Sequence, residues 1–246
     1  MSTRPKMYHD LARYYDTLYS GKDYRSEATK LNALARRFGR AGGRAWLDVA
    51  CGTGRHLELL RAKWDVAGVD ASPDMLRIAA RRLPRVPLQE GDMRSFRLGR
   101  EFDVVTCLFS AIGHLTSERD LGRAFTTFSR HLKPGGVAIV EPWIEPGRFR
   151  FHSTHLVTVR DRGLTIVRLA VSSRRGNRSV IRYHYLIAEG GRRIRHVEET
   201  DVGLLVDRVR LQSLLRRAGL RPRFLARGLH AGRGLLIGVK PVRGRA

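Results

Sequence analysis

The spacing of hydrophobic positions changes near residue 150 and divides the chain. Before it, short continuous apolar runs alternate with segments whose apolar residues recur every three to four positions. Ala45-Trp46-Leu47-Asp48-Val49-Ala50 predicts a buried strand over 44–50. Runs over 65–70, 87–90, Phe102–Phe109 and Val137–Val140 predict four more. The intervening segments 10–19, 25–38, 56–63 and 118–132 read as helices. In the second, Ala28, Leu31, Leu34, Ala35 and Phe38 share one face, and Gly39 with Gly42-Gly43 ends it. A further helix opens at Ser72-Pro73-Asp74 as cap, first-turn proline and first-turn acid. The helix over 118–132 stops at Lys133-Pro134-Gly135-Gly136. Such alternation predicts right-handed β-α-β units around a parallel sheet.

After residue 150 the period becomes two. Segments 156–160, 164–171, 179–188 and 194–202 alternate apolar and polar residues, and Asp161-Arg162-Gly163, Arg175-Gly176-Asn177 and Glu189-Gly190-Gly191 separate them as hairpin turns. This predicts an antiparallel meander inserted into an α/β fold. A helix over 207–218 and strands near 223–226 and 234–240 close the chain. The expected division is 1–150 for the N-terminal helices and the α/β core, 151–203 for the inserted subdomain, and 204–246 for the closing elements.

Composition narrows the class. A chain of 246 residues that is 42% hydrophobic can bury a real core and is not disordered. Cys51 and Cys107 sit in apolar stretches, with no disulfide framework and no metal-ligand spacing, so a reducing cytosol and no metal are expected. Met1–Asp10 lacks the apolar region of a signal peptide, and no stretch approaches a membrane span. The net charge of +24 is extreme, and arginines account for 41 of the 47 basic residues. Residues 151–246 carry 21 basic and 6 acidic residues. A polyanion such as RNA or an acidic small substrate would explain this, and so would an Arg-rich coding bias, since the arginines are scattered rather than in a block.

The candidate chemistry begins at the first strand's end. Cys51-Gly52-Thr53-Gly54 makes a tight turn into a helix at His56-Leu57-Glu58, where absent Cβ atoms and free N–H groups admit a ligand. Leu57 stands where a dinucleotide fingerprint needs its third glycine, which disfavours pyrophosphate binding. Asp70 ends the second strand, where a carboxylate accepts bonds from ribose hydroxyls. Asp92 follows the third strand and could accept from an adenine amino group, with Met93 packed on the ring. Asp48 is expected to order the glycine turn by accepting its N–H bonds. Each residue alone has an ordinary structural role; together, at successive strand ends, they describe an adenosyl site.

Leu47–Leu57, Gly68–Leu76, Glu90–Phe96, Phe102–Leu115 and Leu132–Trp143 resemble the successive motifs of class I S-adenosylmethionine-dependent methyltransferases. Ala50 stands where many members carry a glycine. Tyr14-Tyr15-Asp16, Gly21-Lys22-Asp23-Tyr24, Cys107–Leu115, Glu141-Pro142-Trp143, His184-Tyr185 and Gly232-Arg233-Gly234-Leu235 are further similar to nucleotide-linked amino-sugar N,N-dimethyltransferases. The resemblance implies a Rossmann-like seven-stranded sheet and S-adenosyl-L-methionine as cofactor. It implies cofactor contacts from Tyr15, Tyr24, Asp48, Ala50, Cys51, Gly52, Thr53, Gly54, His56, Asp70, Ala71, Met75, Asp92, Met93 and Leu108, with Tyr15 and Tyr24 in a lid. His114, in the loop after the fourth strand, is the candidate base, since a group with pKa near ~6.5 can take a proton from an amine. Tyr8 would orient the amine, Arg233 would present its fork to a diphosphate, and Trp143 and His184 would touch the substrate.

Base-amino methylation is disfavoured, because Cys107-Leu108-Phe109-Ser110 occupies the place of an Asn/Asp-Pro-Pro-Tyr/Phe clamp. Pyrimidine-carbon methylation is disfavoured too, since Cys107 has no adjacent proline and a buried thiol is inert. The expected function is methylation of a small amine such as a nucleotide-linked amino sugar, by a cytoplasmic enzyme for which a homodimer is an open option. The alternatives are an RNA methyltransferase and a non-catalytic protein that keeps the cofactor fold.

Overall fold

The computed structural model describes residues 5–191, 193–230 and 233–242. In chain order the strands are β1 (Ala45–Val49), β2 (Asp65–Asp70), β3 (Leu88–Glu90), β4 (Phe102–Cys107), β5 (Leu132–Val140), β6 (Thr154–Asp161), β7 (Leu164–Arg175), β8 (Arg178–Glu189), β9 (Arg195–Leu204), β10 (Arg221–Leu225) and β11 (Leu235–Val239). The α-helices are α1 (Tyr15–Leu18), α2 (Tyr24–Phe38), α3 (Arg55–Leu60), α4 (Pro73–Arg82), α5 (Glu118–Arg130) and α6 (Arg208–Arg217).

Seven strands form one sheet in the order β10-β11-β5-β4-β1-β2-β3. Strands β3, β2, β1, β4 and β5 run parallel, and β11 is antiparallel to both neighbours. All six residues of β4 are buried, as a central parallel strand covered on both faces requires. Helices α2 and α3 cover one face, with Leu31, Leu34, Leu57 and Leu60 packed on Trp46, Val104 and Ile139. Helices α5 and α6 cover the other, with Phe125, Phe128, Leu211 and Leu215 in the cluster of Leu47, Val105 and Val140. The sheet and its helices are the Rossmann-like seven-stranded architecture that the resemblance implies.

Helix starts follow the cap chemistry. Asp23, Ser72, Ser117 and Asp207 accept N–H bonds at the first turns of α2, α4, α5 and α6. Two segments depart from expectation. Residues 10–19 form 3-10 turns and the single-turn α1 instead of one helix. Strand β5 starts at Leu132, and Lys133–Gly136 is a kink within it, with Gly135 at φ 78° and a register shift opposite Phe102/Val104.

Strands β6 to β9 pair in sequence as an antiparallel sheet of twelve-residue central strands. Its inner face, with Ile166, Tyr185 and Ile187, packs on Leu11, Tyr14, Tyr15 and Leu18 of the N-terminal segment and on Met75 of α4. This third cluster places the meander and the N-terminal segment over the sheet edge where β1, β2, β4 and β5 end. Among the described residues no helix is long and apolar enough to cross a membrane.

Candidate active site

Strand β1 lies between β2 and β4, so the strand order reverses there and a crevice opens beyond the strand ends. The chain leaves β1 through left-handed residues, with φ of 58° at Ala50, 55° at Gly52 and 77° at Gly54. A Cβ at Gly54 would approach Leu83 Cδ1 to 2.8 Å, whereas one at Gly52 would meet nothing within 4 Å. Gly54 therefore serves packing, and Gly52 faces open space.

Asp70 ties the crevice together: its Oδ2 accepts the Gly52 N–H at 2.7 Å and its Oδ1 accepts the Ser72 N–H at 2.8 Å. Burial pushes its pKa up, against the pull of these backbone donors. Asp48 does not order the glycine turn as expected. The N–H groups of Cys51 and Gly54 go to the carbonyls of Val69 and Cys51, and that of Gly52 goes to Asp70. Asp48 instead accepts from Thr106 Oγ1 at 2.7 Å beneath the turn, and burial raises its pKa to about 6.

A cavity of about 1010 Å³ occupies the crevice. Of the residues expected at the cofactor, Tyr15, Ala50, Gly52, Asp70, Ala71, Met75, Asp92, Met93 and Leu108 line it. Tyr24, Asp48, Cys51, Thr53, Gly54 and His56 do not. His56 Nε2 bonds Glu27 Oε2 at 2.7 Å, and Tyr24 meets the His56 ring edge-on at 5.0 Å. Thr53 Oγ1 donates to Asp16 at 2.7 Å, which anchors α1 to the glycine turn. Cys51 and Cys107 are buried, and burial pushes both thiols up, leaving them unreactive. These side chains support the cradle from behind. Asp92, at the rim, is held by Arg94 Nε at 2.9 Å, and that bond keeps its pKa low.

A second cavity, of about 500 Å³, lies on the other side of the loop after β4. That loop is strained, since Phe109 and Ser110 are consecutive non-glycine residues at φ 52° and 57°. Phe109 donates its N–H to the fully buried Glu141 at 2.8 Å, and Ser110 Oγ donates to the Pro142 carbonyl at 2.8 Å. Tyr8, Phe109, His114, Tyr183 and Asp201 line both cavities and form their junction.

At that junction the Tyr8 hydroxyl lies 3.0 Å from His114 Nε2, and His114 Nδ1 lies 3.1 Å from Asp201 Oδ1. The Asp201 acceptor places the imidazole proton on Nδ1, so Nε2 accepts from Tyr8. Burial alone would lower the His114 pKa, but the Asp201 bond and charge, with Glu199 and Asp70, outweigh it and raise the pKa. Burial drives the Tyr8 pKa well above that of an ordinary phenol, so it stays a hydroxyl.

Trp143 and Arg233 line the second cavity together, with the guanidinium 5.2 Å above the indole. Arg233 Nη1 donates to Ser110 Oγ at 3.0 Å, and Trp143 Nε1 donates to Ser179 Oγ at 2.9 Å. Gly232 lies outside the described residues. His184 is not with them; it lines the first cavity from the opposite face of the second sheet. Sequence reasoning missed Asp201, Lys22 and Arg168 at the site. Asp201 had a signal: on β9 it falls two positions from Glu199, so acids interrupt the inward-facing set of the alternating strand.

The Methyltransferase domain family matches residues 47–136. Over 234 residues the chain is 41% identical to the dTDP-3-amino-3,4,6-trideoxy-alpha-D-glucopyranose N,N-dimethyltransferase of Streptomyces venezuelae, covering 94% of this chain and 98% of that one. The chain belongs to this family of sugar N,N-dimethyltransferases. The methyltransferase is likewise 42% identical over 238 residues to the dTDP-3-amino-3,6-dideoxy-alpha-D-glucopyranose N,N-dimethyltransferase of Streptomyces fradiae, covering 96% and 92%. Among solved structures it resembles S-adenosylmethionine-bound CalS10, an amino pentose methyltransferase from Micromonospora echinaspora, with TM-score 0.82, 34% identity and coverage of 94% and 96%. The methyltransferase is an enzyme that uses S-adenosyl-L-methionine.

Proposed function

We propose that the methyltransferase N,N-dimethylates the amine of a dTDP-linked amino-deoxyhexose, in the 500 Å³ cavity that meets the cofactor crevice at Tyr8 and His114. The meeting of the two cavities carries this reading. A space of that size takes a small acceptor rather than a nucleic-acid strand. Two dimethyltransferase relatives are named for 3-amino-6-deoxy sugars and a third, 38% identical, for a 4-amino sugar, which supports a dTDP-linked amino-deoxyhexose acceptor.

The crevice residues fit the cofactor: Gly52 leaves backbone open, Asp70 offers acceptors for ribose hydroxyls, and Asp92 with Met93 suits an adenine. Tyr15 closes over them, with Tyr24 bracing the segment through His56. The cofactor supplies an electrophilic methyl group, so the protein's task is to orient the amine and take its proton. Tyr8 orients the amine and relays its proton, passing its own hydroxyl proton to His114 Nε2 as it takes the amine's, and Asp201 holds Nδ1–H in place. Arg233, whose guanidinium lies over Trp143, brings positive charge to the second cavity, where a diphosphate would need it, while the neighbouring Lys22 is paired with Glu27. Strands β7 to β9 supply Arg168, Tyr183 and Asp201 to the acceptor-side wall, and α6, β10 and β11 close the core.

The test is incubation with methyl-labelled cofactor and a dTDP-3-amino-3,6-dideoxyhexose, with products read by mass. The expected result is stepwise addition of two methyl groups. A protein that binds the cofactor and labels no amino sugar nucleotide overturns the reading.

A further inference from the structure

We propose that His184, His196 and Glu198 form a binding site for one zinc-type divalent cation on the outer face of the second sheet. Strand β8 supplies His184, and β9 supplies His196 and Glu198 two residues apart, so these two project from the same face. The register pairs His184 directly with Glu198, which puts all three on that face, where His184 and Glu198 also border the first cavity.

The donor atoms form a nearly regular triangle. His184 Nδ1 lies 3.2 Å from His196 Nε2 and 3.4 Å from Glu198 Oε1, and His196 Nε2 lies 3.6 Å from the same oxygen. Zinc bonds of about 2.0–2.1 Å to histidine nitrogen and carboxylate oxygen, arranged tetrahedrally, space neighbouring donors by roughly 3.3–3.5 Å. The observed edges bracket that spacing. The imidazole planes lie within 10° of parallel with centroids 5.4 Å apart, and the two facing nitrogens share a hydrogen bond that a cation would replace. All three side chains are 37–63% exposed, which leaves water access to a fourth position. Two histidines and a glutamate are a donor set that zinc accepts.

The expectation of no metal rests on the two cysteines, and the spacing of residues 184, 196 and 198 carries no linear metal motif. A cation there would clamp β8 to β9, the edge strand whose opposite face presents Glu199 and Asp201 to the junction.

The experiment uses the full chain without an affinity tag, stripped by chelator, and titrated with zinc and then with cobalt. One zinc per chain is expected at micromolar or tighter affinity, with the intense visible bands of tetrahedral cobalt. His196→Ala should weaken zinc binding by roughly tenfold or more, with unchanged far-UV circular dichroism. Glu198→Gln serves as the second variant should that one misfold, and the cobalt spectrum of the unaltered protein is read without any variant. No stoichiometric uptake, affinity unmoved in both folded variants, or a weak octahedral cobalt spectrum overturns the site.

Discussion

Ala50 occupies a backbone conformation that suits glycine, and nothing in its side chain repays the cost. At φ 58° its Cβ crowds the following carbonyl, a penalty of roughly 1–2 kcal/mol for an L-residue. Ala50→Gly removes that strain but frees the unfolded chain, so the net gain should be smaller, about 1 kcal/mol. Chemical denaturation of the two proteins measures it, and a less stable glycine variant would show that the turn is relaxed as it stands. His114 offers a second test at the same scale. The amine's proton can be relayed only to the neutral imidazole, so the rate rises with pH through the His114 pKa. Asp201 and, with smaller effect, Glu199 and Asp70 hold that pKa above the usual histidine value, while burial and the uncharged Tyr8 hydroxyl do not. In Asp201→Asn burial dominates, so the acid limb of kcat/KM should move toward lower pH, with the plateau down roughly 10–100-fold as the ring loses its orientation. An unmoved limb in a variant with reduced activity would remove His114 from proton transfer.

Helix α4 shows how one side chain links elements. Ser72 Oγ accepts the Met75 N–H at 3.2 Å as cap and donates to the Tyr8 carbonyl, so the same hydroxyl starts the helix and clasps the segment that carries Tyr8. Ser72→Ala should cost about 1 kcal/mol of stability and lower Tm by roughly 2–4 °C. It should also reduce kcat through the loosened Tyr8, and Ser72→Thr should restore both. Loss of stability with kcat unchanged would show that the clasp does not position Tyr8. This serine was legible in the sequence because Ser-Pro-Asp before an amphipathic run is a local signal. So were the parallel strands, whose buried runs are continuous, and Asp70 and Asp92 at the strand tips. Residues 10–19 were not legible as turns, because Leu11, Tyr14, Tyr15 and Leu18 bury themselves against the second sheet and obey that contact rather than helical propensity. The junction was half legible for the same reason. Tyr8 and His114 lie 106 residues apart and His114 and Asp201 lie 87 apart, and only the register of β9 brings the acid to the imidazole. His184 shows the converse: its sequence neighbour Tyr185 faces inward, so the alternation that buries one turns the other away from the acceptor cavity.

A net charge of +24 surrounds an acceptor cavity of only 500 Å³. A polyanion reader would set a continuous basic surface beside the methyl-transfer junction. Arg119, Arg123, Arg130 and Arg217 instead gather in a groove between α5 and α6 that shares none of the junction's lining residues, and Arg210 and Arg123 there are paired to Glu118 and Asp120. A nucleotide diphosphate carries negative charge that the general field would attract and that Arg233 would grip locally. These contributions separate by salt. The field acts through solvent with a screening length of about 8–10 Å at physiological ionic strength, so raising salt should raise KM for the nucleotide sugar several-fold with kcat unchanged. Arg233 is three-quarters buried against Trp143 and is screened far less. Arg233→Ala should therefore raise KM by roughly 10–100-fold, the worth of a charged hydrogen bond, and the defect should persist at high salt. RNA should inhibit only at low salt and should acquire no labelled methyl group. Methylated RNA, or a KM defect in Arg233→Ala that disappears when salt is raised, would place the functional charge on the surface and return the arginine-rich groove to consideration as the substrate path.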